Sequence, residues 1–188
     1  MEKIINDSLI EHKKALGLLE KRSKVVKEIA LLFIKTLRQN KKIIFMGNGG
    51  SAADAQHLAG ELVGRFKKNR KALTAIAITT NTSVLTAIAN DFGYDQIFSR
   101  QIEALARPGD LVVGISTSGK SKNIMNAIKM AKVLKLKTVG FSGKDRSPLA
   151  KSTDICLTIP LSDTPSIQEM HIFAGHMICA IVEKYFSQ

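Results

Sequence analysis

Short apolar runs alternate with stretches of helical periodicity along most of the chain. Five runs have the length and the composition of buried strands: residues 43–46, 72–78, 111–115, 138–141 and 155–159. Between these runs, apolar residues recur every three or four positions, which is typical of helices that pack on one face. Strands that alternate with helices predict an α/β fold, a three-layer sandwich with a five-stranded, mainly parallel sheet and right-handed crossovers.

Two helices are predicted before the first strand. The first has a narrow apolar stripe with alternating steps of four and three: Ile5, Leu9, His12, Leu16 and Leu19. Such a stripe is typical of contact between helices, so we expect this helix to form an oligomer contact in which His12 is a packing residue. The second helix covers residues 23–37. We therefore predict one domain, 1–188, with N-terminal helices to about 40 and an α/β core from about 41.

Composition narrows the class of protein. A chain of 188 residues with 45% hydrophobic content can bury a core without disulfides, and Cys156 and Cys179 lie in apolar segments typical of reduced thiols. We find no signal peptide and no apolar run of roughly 20 residues, so we expect a cytoplasmic protein that does not enter a membrane.

The charge of +12 suggests a polyanion partner, but the basic residues are dispersed. The cluster at 67–71 lacks interleaved aromatic residues, which disfavours nucleic acid and favours a solvated surface.

A glycine-rich turn follows the first strand. The segment G-N-G-G-S at 47–51 leads into a helix that we expect to begin with Ser51 as its N-cap. Glycines let a ligand approach the backbone, and the N–H groups of a helix N-terminus favour phosphate. The pattern is neither a dinucleotide fingerprint nor a P-loop, which disfavours a nucleotide. His57 and Glu61 lie four residues apart, so they can share a metal ion or substrate, or form an exposed ion pair.

A second turn, rich in hydroxyl groups, follows the third strand. Its side chains form a potential phosphate cradle: Ser116, Thr117, Ser118 and Ser121. If the strand order is 2-1-3-4-5, the first and third strands are neighbours whose connections leave in opposite directions, and ligands bind at such points. The two turns are then expected to line one crevice. In the last predicted helix, Gln168 and His176 lie along one side and extend the metal set of His57 and Glu61.

Five motifs carry a resemblance to a known family: G-N-G-G-S at 47–51, D-A-Q-H-L-A-G-E-L at 54–62, N-D-F-G at 90–93, G-I-S-T-S-G-K-S at 114–121 and I-Q-E-M-H…H at 167–176. With these motifs the chain resembles, nearly end to end, the phosphoheptose isomerases of the sugar isomerase (SIS) domain family. The resemblance implies a flavodoxin-like SIS domain and a homotetramer with active sites between subunits. It also implies conversion of sedoheptulose 7-phosphate to D-glycero-D-manno-heptose 7-phosphate, for bacterial lipopolysaccharide or other surface glycans.

The resemblance also implies roles for individual residues. One Zn²⁺ per subunit would be bound by four residues: His57, Glu61, Gln168 and His176. Substrate contacts fall on the two turns, the helix after the glycine turn, a helix end and the last helix: Asn48, Gly49, Gly50, Ser51, Glu61, Asn90, Asp91, Ser116, Thr117, Ser118, Ser121 and Gln168. Glu61 is implied as the base and His176 as the acid. Aldose–ketose isomerisation through a cis-enediol requires both, because a proton leaves C1 and another reaches C2. Gln168 is an unusual zinc ligand, and the alternative is that it orients the substrate.

Two other hypotheses stay open. Some relatives are non-catalytic SIS scaffolds that bind the replication initiator protein, and the basic charge favours this hypothesis. The complete set of metal ligands disfavours it, because a scaffold has no physical reason to keep them. The second alternative is an isomerase for another sugar phosphate, since the motifs do not define pocket specificity. The chain also departs from many family members at Ser166, where they carry an Arg, and this departure bears on substrate preference.

Overall fold

The computed structural model describes residues 1–187, so position 188 of the predicted domain lies outside them. Within that range the sheet has five parallel strands: β1 (Ile43–Gly47), β2 (Ala75–Ala77), β3 (Leu111–Ser116), β4 (Lys137–Ser142) and β5 (Ile155–Thr158). Their order, β2-β1-β3-β4-β5, confirms the predicted order and the α/β class. β1 and β3 are therefore neighbours, with Gly47 opposite Ile115 in the register.

Helices cover both faces of this sheet and precede it. Their bounds are α1 (Glu2–Glu20), α2 (Ser23–Arg38), α3 (Gly50–Val63), α4 (Thr82–Phe92), α5 (Ser99–Leu105), α6 (Lys122–Val133), α7 (Pro148–Ser152) and α8 (Thr164–Phe186), with a 3₁₀ turn at Tyr94–Gln96. In the described range, residues 1–187, the helices are too short or too polar to cross a membrane.

The core has two layers, one on each face of the sheet. Successive side chains of a strand point to opposite faces, so Phe45 packs with residues of α2, α3 and α8, whereas Met46 packs with residues of α5 and α6. All five residues of β1 are buried. Because both faces of β1 are buried, the strand is a continuous apolar run, and the first polar side chains lie in the turn after its last residue.

Two local predictions are wrong. The second strand spans only Ala75–Ala77 instead of 72–78, because the residues before it form the connection from α3. The N-cap of α3 is Gly49 and not Ser51. Gly49 has φ of 54°, a left-handed conformation that disfavours residues with a side chain, so the helix begins two residues earlier than the preference of serine for N-caps indicates.

Only the end of the apolar stripe on α1 is covered within this chain. Ala15 and Leu19 are buried, whereas Ile5, Leu9 and Leu16 have 42–58% of their surface exposed. His12 lies on the exposed part of this stripe, so its packing against another copy stays a prediction. Its side chain is half-exposed, and its Nδ1 is hydrogen-bonded to Glu169 Oε2 of α8 at 2.7 Å.

Both cysteines are free thiols in the part of the chain that the structure describes. Burial is the main cause that raises the pKa of Cys156 and of Cys179 to about 12. Each side chain is therefore protonated at neutral pH and behaves as a small hydrophobic group.

Candidate active site

The glycine turn after β1 lies directly against α8. A methyl group on Gly50 would overlap the side-chain amide of Gln168, and a methyl group on Gly47 would overlap the backbone of Ser51. Glycine at these two positions therefore allows the first turn of α3 to pack tightly beneath β1 and allows Gln168 to reach the turn. Ser51 is buried in that first helical turn.

One helical turn further along α3, three side chains converge between α3 and α8. His57 Nε2 lies 3.1 Å from Glu61 Oε1 and 2.8 Å from His176 Nε2. The ligand atoms of all three lie within 4.8 Å of one another, so this His57–Glu61–His176 group could hold a metal ion. Two imidazole nitrogens and a carboxylate oxygen form a donor set that zinc commonly takes, so the residues fit the metal that the sequence implies. The simpler interpretation of His57 and Glu61 as an isolated ion pair omits the contact with His176.

The environment of His176 favours its neutral form. Burial lowers the pKa of His176, and the nearby His57 and Lys67 act in the same direction, while Glu61 opposes them. A neutral imidazole has one nitrogen free to bind a metal or accept a hydrogen bond.

One turn before His57, burial raises the pKa of Asp54 to about 6, and His57 opposes this shift.

The hydroxyl turn after β3 is held together by its own groups. Ser116 Oγ lies 3.0 Å from Ser121 Oγ, and it also accepts a hydrogen bond from the backbone N–H of Gly119 at 3.1 Å. Ser118 Oγ accepts from the backbone N–H of Lys120 at 3.2 Å. Ser118 also lines a small cavity of about 240 Å³, together with Thr117, Lys120 and Lys144. The hydroxyls and two lysines of this cavity suit a phosphate group.

An amide pair joins the two turns. The side chains of Asn48 and Asn123 exchange two hydrogen bonds of 2.9 Å each, and the hydroxyl of Tyr94 donates to Asn48 Oδ1 at 3.0 Å. Asn48 therefore connects the end of β1 to the first turn of α6. Neither Asn123 nor Tyr94 was among the predicted site residues, although Tyr94 directly follows the N-D-F-G motif.

The remaining predicted residues lie at helix ends. Asn90 and Asp91 lie in the exposed last turn of α4, where the Asn90 amide donates to Asp91 Oδ1 at 2.8 Å. Ser166 is buried in the first turn of α8, where its backbone N–H donates to Asp163 Oδ2 at 2.9 Å. The structure thus brings His57, Glu61 and His176 into one group, and it places Gln168 beside Gly50, two helical turns before His176.

The basic cluster at 67–71 contains a buried member, which the prediction of a solvated surface missed. The side chain of Arg70 is only 1% exposed, and its guanidinium lies against Glu183 of α8. The prediction is wrong for Arg70, because the burial depends on a residue far away in the sequence.

Comparison with known proteins agrees with the motifs. The family model described as SIS domain matches residues 12–143. A phosphoheptose isomerase of Aliarcobacter butzleri is 48% identical over 98% of this chain and 97% of its own length. One from Geotalea daltonii is 50% identical over 96% of this chain and 94% of its own length.

The fold comparison points to the same family. A solved phosphoheptose isomerase from Neisseria gonorrhoeae superposes with a TM-score of 0.92 at 37% identity, over 97% of this chain and 98% of that one. Another, from Francisella tularensis, gives a TM-score of 0.93 at 30% identity, over 97% of both chains.

Proposed function

The chain belongs to the SIS domain family and, within it, to the phosphoheptose isomerases, and we propose that it converts sedoheptulose 7-phosphate to D-glycero-D-manno-heptose 7-phosphate. The observation that carries this proposal is the His57–Glu61–His176 group beside the glycine turn, in a chain about half identical to such isomerases. The product would supply heptose for bacterial lipopolysaccharide or another surface glycan.

Two proton transfers are assigned to this group. Glu61 removes a proton from C1 of the open-chain ketose while His176 donates a proton to the carbonyl oxygen on C2, which gives a cis-enediol. Return of the proton from Glu61 to C2, with return of the C1 hydroxyl proton to His176, then gives the aldose. One oxygen of Glu61 faces His57, at 3.1 Å, which leaves the second oxygen to accept the substrate proton. Burial lowers the pKa of His176, which favours a neutral imidazole with one N–H to donate.

We propose one Zn²⁺ per subunit as the cofactor. His57, Glu61 and His176 would hold it, with Gln168 as a fourth ligand or as an amide that orients the substrate. The position of Gln168 against Gly50 supports the orienting role, because the amide already lies at the ligand-binding turn. When bound, the metal supplies Lewis-acid polarisation of the sugar carbonyl.

The rest of the substrate would occupy the two turns. We assign the phosphate to the hydroxyl turn, where Ser116, Thr117, Ser118 and Ser121 combine with the N-terminus of α6. We assign the sugar hydroxyls to the glycine turn and the end of α4: Asn48, Gly49, Gly50, Ser51, Asn90 and Asp91. Asn48 supports this division, because its amide lies between the two turns.

We further propose that the domain at 1–188 assembles as a homotetramer with active sites between subunits. The exposed apolar residues Ile5, Leu9 and Leu16 on α1 support an interface with another copy. A cytoplasmic location accords with the proposed substrate, since a sugar phosphate is charged and does not cross membranes unaided.

The direct test is an NMR assay of the zinc-loaded protein with sedoheptulose 7-phosphate in deuterated water. The proposal expects aldose product and solvent deuterium at the carbon that gains a proton. Product from another ketose phosphate, with none from the heptulose, would instead support the alternative isomerase. Absence of exchange with every phosphosugar, even with added zinc, would overturn the assignment as an enzyme and favour the scaffold hypothesis.

A further inference from the structure

A buried arginine lies at the C-terminal end of α3, the helix that carries His57 and Glu61. Arg70 donates to the backbone carbonyl of Glu61 at 2.7 Å, of Leu62 at 2.9 Å and of Lys71 at 3.0 Å. The last carbonyls of a helix lack partners within the helix and carry partial negative charge, so a guanidinium is well placed there. Arg70 therefore holds the backbone at Glu61 itself.

Glu183 of α8 holds the connection that follows α3. Its Oε1 accepts from the backbone N–H of Phe66 at 2.9 Å, and its Oε2 accepts from that of Lys67 at 2.9 Å. Arg70 Nε lies 3.8 Å from Glu183 Oε1, and the two side chains are 1% and 4% exposed. Burial acts to raise the pKa of Glu183, but the backbone donors and Arg70 outweigh it and lower that pKa, so the carboxylate is charged at neutral pH.

This arrangement places the aromatic ring of Phe66 next to the imidazole of His176. The Phe66 and His176 rings lie 5.6 Å apart between centroids, with 31° between their planes. Phe66 takes its position from the backbone N–H that Glu183 binds, and Glu183 lies two helical turns beyond His176 on α8. We use the term Arg70–Glu183 clasp for these two side chains with the backbone N–H groups of Phe66 and Lys67.

We propose that Arg70 and Glu183 are positioning residues that fix His176 and Glu61 relative to each other for metal binding and catalysis. Arg70 acts on the backbone of Glu61, and Glu183 acts on His176 through Phe66. The clasp thus links the ends of α3 and α8 that supply the His57–Glu61–His176 group. This inference rests on the proposed function, because it assigns the clasp a role at that same site.

The test compares three variants with a matched control. Arg70→Met and Glu183→Gln break the clasp, and Phe66→Leu removes the ring while leaving the clasp intact. The control is Arg107→Met, because Arg107 also donates to carbonyls at a helix end, that of Ala104 in α5 at 2.9 Å and that of Ala106, directly after α5, at 2.8 Å. Each metal-free protein is titrated with Co²⁺, and the imidazole resonances of His176 are followed by NMR.

We expect the three variants to bind Co²⁺ about 10- to 100-fold more weakly than the parent, as is usual when groups that orient metal ligands are removed. The His176 resonances should shift when the Phe66 ring moves, and kcat for the heptulose phosphate should fall more than KM changes. Arg107→Met should match the parent in each readout.

The proposal is overturned if the clasp variants lose thermal stability but keep the parent Co²⁺ affinity and His176 resonances. If Arg70→Met does not fold, Glu183→Gln decides by the same readouts. If the parent binds Co²⁺ and the clasp variants weaken that binding, but the parent isomerises no phosphosugar, the proposed function fails while the role of the clasp in positioning the metal ligands stands.

Discussion

The two turns at the carboxyl ends of β1 and β3 are adjacent, yet their side chains are supplied in different ways. The hydroxyl turn is local: Ser116, Ser118 and Ser121 bond within six residues of one another. The glycine turn contributes little chemistry of its own. Its titratable partners come from the middle of α3 and from α8, more than a hundred residues later.

This difference suits two separate roles, substrate binding and the chemical step. Neutral hydroxyls and helix N–H groups bind an anion without changing their own protonation state, so they suit binding. A carboxylate and two imidazoles can exchange protons or bind a metal, so they suit the chemical step. We therefore expect changes near α3 and α8 to lower kcat and changes in the hydroxyl turn to raise KM.

The largest effect is expected from Glu61→Gln. The amide cannot accept the C1 proton and is a weaker metal ligand than a carboxylate, so kcat of the zinc-loaded variant should fall by about 1,000-fold or more, within the usual range for a general base. KM and the melting temperature should change little, because Glu61 is partly exposed and the amide has the same shape. Steady-state kinetics and calorimetry check this prediction, and near-normal turnover would exclude Glu61 as the base.

Metal removal should have the next largest effect. Dialysis against a chelator should lower kcat about 100-fold, equivalent to about 2.7 kcal/mol of barrier, because carbonyl polarisation is lost. Added Zn²⁺ should restore activity. The chelated protein should still bind inorganic phosphate at the hydroxyl turn by calorimetry, and loss of that binding would contradict the independence of the two turns.

A smaller effect is expected in the hydroxyl turn. Ser118→Ala should raise KM about 10-fold with kcat nearly constant, because one hydrogen bond to a charged group is lost. Ser8→Ala is a suitable control, since within residues 1–187 its hydroxyl bonds only the carbonyl of Ile4 on α1. A fall in kcat without a change in KM would place Ser118 in the chemical step and break the division between the turns.

The smallest effect on activity at neutral pH is expected from His171, which contributes to stability and not to the proposed chemistry. His171 is fully buried, edge-on to Phe141 of β4, and burial lowers its pKa to about 4. The unfolded chain binds this proton more readily, so stability should fall as the pH drops from about 6.5 to about 4, by on the order of 3 kcal/mol at most. The raised pKa of Asp54 acts in the opposite direction, because the folded carboxyl binds its proton more readily and stability falls as the pH rises from 3.8 to about 6.

The measurement is the free energy of unfolding of the parent and of His171→Leu across this pH range. The difference between them isolates His171 from Asp54, and the leucine variant should lack the loss on acidification. Equal pH dependence of the two proteins would show that His171 does not control acid stability.

The sequence predicts the features of the fold and of the site that depend on residues close together in the chain. The order of the strands and the hydroxyl turn follow from apolar runs and from residues a few positions apart. His176 is harder to place, because spacing within α8 does not state which helix it faces, and the sequence connects it to His57 only as a member of one plausible set of metal ligands. Arg70 shows the same limit: K-K-N-R-K resembles a solvated surface until Glu183 is known to lie beside it. The N-cap was missed because the left-handed backbone of Gly49 outweighs the capping preference of Ser51.

The reciprocal amide bonds between Asn48 and Asn123 have a consequence for substrate length. They join the end of β1 to the first turn of α6 and so restrain the distance between the two turns. A phosphate held by the hydroxyl turn can present its reacting carbons to Glu61 only if the carbon chain spans that distance. We expect the Asn48–Asn123 pair to favour sugar phosphates with a particular number of carbons.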